Sequence, residues 1–516
     1  MEFKDLINSI DKIFSEYLHE FFLFVEKSIH RIENLKIRPF FLAAYFCLLI
    51  AIRDLLEQWF FSEYFSIQRL LHHFFFASLV LMAGILIINL IGKIDLIKTT
   101  LIVASGFIVI VLPPLFDRLI FLRNFPYEYV LPQDFLFDFF TFFLLTPKAG
   151  LGIMFEIAAI LLLASFYVLI RSRSIFRAIL TGISLYLLVG ISATPRLYLP
   201  IPEMIDSSIW QNRHILYFSF YFGLFIILGV FFLREINKAI PRALLRELNS
   251  FRTLHFILMV IIGIYFSENP SFFEFPGFLY NSISIILMVF LWLSTVLVNN
   301  VYDLPIDRIS NPRRPLVMGA VTPATYLDLS SVFVIIALLS SLVLGIIPFI
   351  LSLLFVLSSL VYSMPPLRLR KNLFSSLFIG WGSLLAFYIG YFNGKGAFDI
   401  LVSSDALFLS LLIFIAFSIG PLTKDLKDYE GDLLHGVKTF FTLFGLQKGR
   451  RIVSLLLCLS LLIPLFLFHE IFDVIFLGLT SVFVSLLFYF KERLAAAYLG
   501  YGIVFAYCAL RMIDFM

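Results

Sequence analysis

Long apolar runs, separated by short polar stretches, dominate the chain from about residue 39 onward. Examples are the runs from Phe74 to Leu90, from Thr100 to Leu112 and from Val334 to Phe355. Several approach or exceed the roughly 20 residues that cross a bilayer as an α-helix. They lack the regular apolar–polar alternation of transmembrane β-strands. The pattern therefore predicts an all-α, polytopic helical membrane protein.

The apolar runs fall into two groups, about six spans before Arg234 and about nine after Arg252. The first group is predicted at 39–59, 74–92, 99–116, 150–170, 176–194 and 214–233. The second is predicted at 254–267, 279–299, 327–345, 346–363, 373–393, 405–421, 452–468, 471–490 and 494–513. We expect 39–233 to form an N-terminal membrane module, 234–252 a basic cytoplasmic linker, and 253–516 a second module of nine helices.

Composition supports this interpretation. Of 516 residues, 61% are hydrophobic and 14% are charged, and the mean hydropathy is +0.98. A soluble domain cannot bury so much apolar surface. Residues 1–38 mix charged and apolar residues at helical spacing and show no cleavage site after an apolar core. We expect them to form a cytoplasmic amphipathic segment near the membrane surface.

The distribution of basic residues predicts the orientation of the second module, because cytoplasmic loops are enriched in Lys and Arg. If the linker is cytoplasmic, so are the connections that hold most of these residues, whereas the opposite loops contain little beyond Lys395. An integral, multi-pass protein of a cell inner membrane is expected. The basic residues on the cytoplasmic side are Arg308, Arg313, Arg314, Arg368, Arg370, Lys371, Lys424, Lys427, Lys438, Lys448, Arg450, Arg451, Lys491 and Arg493.

Two acidic stretches lie at the cytoplasmic ends of spans in this module. Asn299, Asp303 and Asp307 are spaced i, i+4, i+8, which places them on one helical stripe. The second stretch has the spacing i, i+3, i+7, again one face, and consists of Asp425, Asp428 and Asp432. Acids at a helix end are often only solvated, so one stretch alone would be weak evidence. Two on the same membrane face, each followed by basic residues, indicate a shared site.

Carboxylate oxygens suit Mg²⁺, which binds through one or two carboxylates together with substrate phosphate oxygens. Two opposed stripes could therefore hold metal ions that bridge to a diphosphate and neutralise it as a leaving group. Arg and Lys nearby would take up the remaining charge. Candidates for that role are Arg313, Arg314, Arg368, Arg370, Lys371, Lys424 and Lys427.

These motifs resemble those of the UbiA superfamily of intramembrane prenyltransferases over about residues 250–516. Residues 299–307 read Asn-Asn-Val-Tyr-Asp-Leu-Pro-Ile-Asp and are followed by Arg314-Pro-Leu and Gly319. Residues 425–432 supply the second Asp-x-x-Asp-x-x-x-Asp motif, with Gly436 and Thr439 after it. Between them, residues 362–371 read Tyr-Ser-Met-Pro-Pro-Leu-Arg-Leu-Arg-Lys, which is similar to the Tyr-Ser-x-Pro-Pro-x-Arg segment of the family.

The resemblance implies a nine-helix bundle around a cavity that is capped on the cytoplasmic side. It further implies Mg²⁺-dependent transfer of a prenyl group from an isoprenyl diphosphate to a membrane lipid or an aromatic acceptor. By analogy, Asn299 and the five aspartates Asp303, Asp307, Asp425, Asp428 and Asp432 hold Mg²⁺-diphosphate. Residues that assist the diphosphate or position the allylic carbon would be Arg314, Tyr362, Arg370, Lys371 and Lys424.

Two departures from the family pattern matter. Asn300 stands where an Asp often follows the first Asn, which removes one possible ligand. Pro305 lies between Asp303 and Asp307 and should end or kink the helix, so Asp307 is expected on a loop.

Two alternatives remain open at this stage. A transporter or channel could use the acidic stripes for cations, although such proteins tend to place ionisable groups near the bilayer midplane. A scaffold that has lost catalytic activity is the other. The N-terminal module shows no metal-ligand spacing or phosphate loop, and it could bind lipid, anchor the chain or recruit a partner enzyme. No nucleic-acid partner is expected.

Overall fold

The computed structural model describes residues 2–61, 67–120, 133–141, 150–199, 210–248, 251–267, 272–395, 399–491 and 494–514. Within these ranges the regular elements are all helices, which agrees with the predicted all-α class. The chain divides into two compact units, unit 1 (Met1–Lys238) and unit 2 (Ala239–Met516).

Unit 1 contains nine α-helices among its described residues. They are α1 (Glu2–Glu33), α2 (Pro39–Phe61), α3 (Ile67–Gly92), α4 (Leu96–Gly106), α5 (Leu112–Leu119), α6 (Phe135–Phe140), α7 (Leu151–Ser172), α8 (Ile175–Ala193) and α9 (Trp210–Ile236). A 3₁₀ turn, Phe107–Val111, joins α4 to α5, and another lies at Pro195–Leu197.

Unit 2 holds twelve α-helices in its described part. They are α10 (Ala239–Leu248), α11 (Phe251–Tyr265), α12 (Gly277–Tyr302), α13 (Leu304–Ser310), α14 (Pro323–Leu344), α15 (Ile346–Ser363), α16 (Leu377–Tyr391), α17 (Ser404–Ile419), α18 (Asp425–Leu434), α19 (Phe440–Leu462), α20 (Ile471–Lys491) and α21 (Leu494–Asp514). Short 3₁₀ turns lie at Leu369–Lys371, Leu373–Ser376, Gly420–Lys424 and Ile463–Phe466.

The described residues form 14 helical segments that are long and apolar enough to cross a membrane, six in unit 1 and eight in unit 2. The bent pair α10 and α11 brings the number to 15 if it is counted as one span. The prediction of an all-α, polytopic membrane protein is confirmed.

Helix ends differ from the predicted span ends where polar residues continue a helix. Helix α19, which contains the span predicted at 452–468, begins at Phe440, where Thr439 caps it by accepting from the Thr442 N–H at 3.2 Å. It is kinked at Gly445, whose φ is 76°. Lys448, Arg450 and Arg451, expected in a loop, therefore lie within this helix. The 234–252 stretch likewise contains the end of α9 and the whole of α10.

Buried ion pairs hold parts of unit 1 together. Arg53 of α2 donates to both carboxylate oxygens of Glu156 on α7, at 2.7 and 2.6 Å. Glu156 is therefore a partnered acid, as is usual for an ionisable group inside a membrane span. Glu33 of α1 is 5% exposed and pairs with Arg171 of α7.

In unit 2, α11 and α16 pack at very short range through glycines. A Cβ at Gly263 would lie 1.9 Å from the carbonyl oxygen of Phe387. In the reciprocal position, a Cβ at Gly390 would lie 2.1 Å from the carbonyl oxygen of Val260. Only glycine permits this approach of two backbones. Both helices line a cavity of unit 2 that is described below as cavity 1, so their separation sets one of its dimensions.

Candidate active site

The first acidic stretch spans a break between two helices. The helix α12 ends at Tyr302, and Asp303 caps it by donating its backbone N–H to the Asn299 carbonyl at 2.9 Å. Pro305 then lies in the first turn of α13, where its missing N–H costs nothing. Asp307 belongs to α13, and its N–H bonds the Asp303 carbonyl at 2.8 Å. The prediction that Asp307 lies on a loop is therefore wrong. Pro305 begins the next helix, and Asp307 belongs to that helix.

The second acidic stretch forms α18, which packs directly against α13. Gly431 allows the close approach, since a Cβ there would lie 2.6 Å from Ser310 Oγ and 2.9 Å from Ile306 Cγ2. The two stretches, more than a hundred residues apart in the chain, therefore meet at one end of the bundle.

Most of the carboxylates already have a cationic partner. Arg370, 8% exposed, pairs with Asp303 and lies 4.0 Å from Asp432. The other pairs are Arg368 with Asp303 at 3.4 Å, Arg314 with Asp307, and Lys424 with Asp428 at 3.0 Å. Among the described residues Asp425 forms no ion pair, and Asp432 Oδ1 is buried without a hydrogen-bond donor.

Two asparagines connect these pairs. Asn311 Nδ2 donates to Asp307 Oδ1 at 3.0 Å and to Asp428 Oδ1 at 3.3 Å, while its Oδ1 accepts from Lys427 Nζ at 2.7 Å. Sequence reasoning missed Asn311, although its position just before Pro312 and two arginines marks the turn. Asn300 accepts from Arg314 Nη1 at 2.6 Å, so its amide oxygen takes an arginine where the family pattern has a carboxylate.

A cavity of about 430 Å³, called cavity 1, opens beside the acidic stretches. One end carries six of the predicted site residues: Asn299, Tyr362, Arg370, Lys424, Asp425 and Asp432. The rest is mainly apolar and aromatic, with Phe256, Trp292, Phe355, Phe417 and Tyr501 in its wall. Cavity 1 thus joins a charged end to an apolar chamber.

His255 of α11 lies in the wall of the apolar chamber, next to the rings of Phe256 and Phe417. Its Nε2 is 2.8 Å from Ser383 Oγ, and Ser383 donates its own proton to the Ile379 carbonyl at 2.8 Å. Both contacts are satisfied together when Nε2 carries the hydrogen of the His255–Ser383 bond, because the serine has only one proton. In that neutral tautomer Nδ1 is the acceptor nitrogen.

A second cavity of about 540 Å³, called cavity 2, lies on the other side of a shared wall. Arg252, Trp292 and Val296 line both cavities. Arg314, predicted to bind the donor, lines cavity 2 and not cavity 1. Lys371 lines neither, is exposed, and contributes its backbone carbonyl to the Lys438 N–H at 2.9 Å. Asp303, Asp307 and Asp428 are buried in the ion pairs described above.

Burial changes the protonation of groups at this end of the bundle. It raises the pKa of the Asp307 carboxyl, and the nearby Arg314 guanidinium opposes that rise. Burial also lowers the pKa of the Arg370 guanidinium, and Asp432 opposes that shift most strongly. Both shifts have the same cause, since burial disfavours the charged form of each group and the neighbouring opposite charge favours it.

Fold and site together define a polytopic membrane protein with an acidic, arginine-lined end to an apolar cavity. The model of the UbiA prenyltransferase family matches residues 256–498. Digeranylgeranylglyceryl phosphate synthase of Sulfurisphaera tokodaii is 31% identical over 200 residues, which cover 37% of this chain and 69% of that protein. The 2-acylphloroglucinol 4-prenyltransferase of Humulus lupulus is 31% identical over 192 residues, 35% of this chain and 45% of that enzyme.

The chain therefore belongs to the UbiA prenyltransferase family, and the predictions of the family and of an enzyme are confirmed. Among solved structures, a UbiA homolog from Archaeoglobus fulgidus bound to GPP and Mg²⁺ is similar, with a TM-score of 0.39 and 18% identity. That match covers 51% of this chain and 97% of the other.

Proposed function

We propose that unit 2 transfers a prenyl group from an isoprenyl diphosphate to a membrane-associated acceptor and releases diphosphate. The observation that carries this proposal is the composition of cavity 1, where carboxylates and cations at one end adjoin an apolar chamber. A diphosphate matches the first part and an isoprenoid tail the second. The names of the two relatives, a synthase of a glyceryl phosphate lipid and a prenyltransferase of an aromatic acceptor, support the same reaction.

The donor set fits Mg²⁺. Asp425 and Asp432 line cavity 1, and Asp432 presents a buried oxygen that accepts no hydrogen bond from any described residue. The described residues contain no group of three or more His, Cys, Asp or Glu side chains close enough to hold a metal alone. Mg²⁺ does not require such a group, because substrate phosphate oxygens complete its shell. When bound, the metal would neutralise the leaving diphosphate.

Residues of the chain hold the remaining charge. Arg370 and Lys424 would bind diphosphate oxygens, with Asn299 and Tyr362 as neutral neighbours. Asp303 orients Arg370, and Asp428 orients Lys424 through a 3.0 Å contact. Asp307 and Arg314 do not line cavity 1. Arg314 pairs with Asp307, which accepts a hydrogen bond from Asn311, so both would act on the site only indirectly. Lys371, outside both cavities, would act only if the 369–371 turn moved.

In the first step the bond between the prenyl carbon and the diphosphate oxygen breaks. The oxygen keeps the electron pair, and diphosphate is the leaving group. A bond then forms between that carbon and the acceptor, whose proton must be removed. His255 is suited to accept it, since its neutral imidazole has an acceptor nitrogen in the wall of the chamber.

We also propose that the charged end faces the cytoplasm of a cell with an inner membrane, as the distribution of Lys and Arg favours. Single cysteines at Arg313 and Ser404, in a chain whose three native cysteines are replaced by alanine, test the orientation. Arg313→Cys should react with an impermeant thiol reagent only from the cytoplasmic side, and Ser404→Cys only from the other. The reverse pattern would contradict the orientation.

The enzyme assay uses the purified full chain in nanodiscs with geranyl, farnesyl and geranylgeranyl diphosphates, Mg²⁺ and a panel of acceptors. Diphosphate release should require Mg²⁺ and should be lost in Asp425→Asn and Asp432→Asn. Asp405→Asn, an exposed aspartate at the start of α17, is the matched control and should keep full activity. Mg²⁺-independent release, or equal activity in all three variants, would reject the proposed site.

For unit 1 we propose recruitment of a partner enzyme of the same lipid, since a shared complex raises the local concentration of an intermediate. A photo-crosslinker at exposed Phe24, in membranes of the native host, tests this. The proposal requires the captured protein to be an enzyme that makes or consumes an isoprenyl diphosphate or a prenylated lipid. Capture of the same protein from exposed Phe466 of unit 2 would argue against a specific role of unit 1.

A further inference from the structure

A group of ionisable side chains, buried or half-buried, lies inside unit 1. They come from the last part of α2 and from the first turns of α3, α7 and α9. Each belongs to a helix that is long and apolar enough to cross a membrane, where ionisable groups are costly and usually mark a function. The residues are Arg53, Asp54, Glu57, Arg69, His72, His73, Glu156, Arg213 and His214.

Three carboxylates of this group share two arginines. Arg53 donates to Glu57 Oε1 at 2.6 Å and to both oxygens of Glu156, at 2.7 and 2.6 Å. Asp54 interacts electrostatically with Arg53 and with Glu57. Glu57 in turn interacts with Arg69. Three negative charges against two positive ones leave an excess negative charge, and a single proton would cancel it.

Asp54 is the carboxylate with the least compensation. It is 4% exposed, and its Oδ2 accepts no hydrogen bond from any described residue. Glu57 and Glu156, in contrast, both accept from Arg53. A buried carboxylate oxygen that is charged and unbonded costs more free energy than a neutral carboxyl at the same place. The excess proton therefore belongs on Asp54.

The histidines are the other candidates for this proton. The Nδ1 atoms of buried His72 and His214 lie 3.2 Å apart, a contact that two neutral imidazoles make when one donates and the other accepts. Both rings interact with Arg69, and His214 also interacts with Arg213. A proton on either ring would add a positive charge beside an arginine, whereas a proton on Asp54 removes an excess negative charge. The carboxyl is the favoured site.

The Glu33–Arg171 pair of the same unit shows the arrangement expected of a purely structural contact. Glu33 is 5% exposed and accepts from Tyr167 Oη at 2.9 Å and from Arg171 Nε at 2.7 Å. One carboxylate meets one guanidinium there, and the charges balance. Around Arg53 they do not balance, and Asp54 keeps an unbonded oxygen. Packing alone does not explain that group.

Other elements also pack against this part of α2. The 3₁₀ turn Phe107–Val111 has no ionisable side chain, and its Ile110 carbonyl accepts from Arg53 Nη1 at 3.2 Å. On α5, Asp117 accepts from the Gly152 N–H at 2.9 Å, and Arg118 is exposed. The remaining charged and titratable groups that face the site are those named above for α2, α3, α7 and α9.

We propose that Asp54 is a reversible proton-binding site in the membrane-spanning part of unit 1. It takes up one proton, which cancels the excess negative charge that Asp54, Glu57 and Glu156 carry beside two arginines. Release of the proton restores that charge, so the electrical state of this end of unit 1 follows the proton concentration on the side of the membrane that it faces. The site lies in unit 1 and does not depend on the proposed function of unit 2.

The test labels the full chain in nanodiscs with dicyclohexylcarbodiimide, which reacts with protonated carboxyls in apolar surroundings. The carboxyl proton moves to a nitrogen of the reagent while the carboxylate oxygen bonds to its central carbon, and the adduct rearranges to a stable N-acylurea that mass spectrometry locates. Asp54 should carry the label at neutral pH, and labelling should fall as the pH rises. Glu33, similarly buried but paired, should stay unlabelled. An unlabelled Asp54, or equal labelling of Glu33, would overturn the proposal.

The charge balance supplies a second test. Glu57→Gln leaves two carboxylates beside two arginines, so labelling of Asp54 at neutral pH should fall at least about threefold. Arg69→Gln leaves three carboxylates beside one arginine and should keep the label on Asp54 to a higher pH. Glu26→Gln, in an exposed pair of α1, is the control and should label like the wild type. Equal labelling of Asp54 in all of these variants would overturn the assignment, and the wild-type pH profile decides it where a variant does not fold.

A metal cation could cancel the same excess charge. Among the described residues no group of three or more His, Cys, Asp or Glu side chains could hold one, which favours the proton. Labelling of Asp54 is therefore compared at constant pH and ionic strength in sodium, potassium, calcium and N-methylglucamine chlorides. A proton site predicts equal labelling in all four. Protection of Asp54 by one of the metal cations would overturn the proposal and assign the site to that cation.

Discussion

The reciprocal glycine contact between α11 and α16 gives the sharpest prediction for unit 2. Gly263→Ala would place a Cβ 1.9 Å from the Phe387 carbonyl oxygen, and Gly390→Ala would place one 2.1 Å from that of Val260. Ordinary contact is about 3.5 Å, so either methyl group requires the helices to separate by roughly 1.5 Å. The obstacle is backbone on both sides, and no side-chain rotation can relieve it.

Overpacking of this kind costs typically about 1–3 kcal/mol. The helix propensity of alanine opposes the loss by up to about 1 kcal/mol, so the net destabilisation of either variant should be about 1–2 kcal/mol. Gly478→Ala on α20 is the matched control, because a Cβ there meets nothing within 4 Å. It should gain a few tenths of a kcal/mol or stay neutral.

Unfolding in mixed micelles, followed by circular dichroism, measures these free energies. Because one helix displacement accommodates both methyl groups, the double variant Gly263→Ala/Gly390→Ala should lose less than the sum of the two single losses. The displacement also widens cavity 1, so binding of an unreactive thio-analogue of geranyl diphosphate should weaken in all three variants. Single variants as stable as the wild type, or strictly additive losses, would refute the reasoning.

Three further predictions concern charge and cavity shape. Because burial raises the pKa of Asp307, the folded state binds that proton more tightly than the unfolded chain. In metal-free buffer, the unfolding free energy of the wild type should therefore fall more steeply than that of Asp307→Asn as the pH rises above the ordinary aspartate pKa; parallel curves would contradict this. A Cβ at Gly382 would lie 3.4 Å from ring atoms of Phe256 and Phe355, so Gly382→Phe should fill part of cavity 1. Turnover should then shift toward donors with shorter prenyl chains. Unchanged relative turnover of the donor series would exclude Gly382 from the site of the prenyl tail. Glu33→Gln breaks the buried pair with Arg171 and should lower the unfolding free energy of unit 1 by about 2 kcal/mol in a denaturation series. Glu26→Gln, in the exposed pair with Arg173, should lower it by nearly nothing. Equal losses would mean that burial does not set the difference.

The amino-acid sequence predicted the spans well because uncharged runs of bilayer length have few alternative structures. It also predicted that the two aspartate stretches belong to one site. It misplaced the start of α19 because a hydropathy pattern detects the apolar part of a helix, and Lys448–Arg451 continue the helix beyond that part.

Two features of the site could not be predicted in this way. Which aspartates face cavity 1 and which lie in ion pairs depends on the 369–371 turn, which brings Arg370 between Asp303 and Asp432. The lining of cavity 2 comes from several helices and a turn that are far apart in the chain, so the sequence pattern does not reveal it. Both depend on tertiary packing, as does the bridging role of Asn311.

The central claim is that the charged end of cavity 1 binds a metal-diphosphate while the apolar chamber holds the prenyl tail. An experimental structure of the full chain with the unreactive geranyl analogue and Mn²⁺, located by its anomalous signal, tests this most directly. We predict Mn²⁺ at about 2.1–2.2 Å from carboxylate oxygens of Asp425 and Asp432, close to the distances of Mg²⁺, with the tail beside Phe256, Phe355 and Phe417. An analogue bound in cavity 2, or a diphosphate held in cavity 1 without a metal peak, would contradict the account.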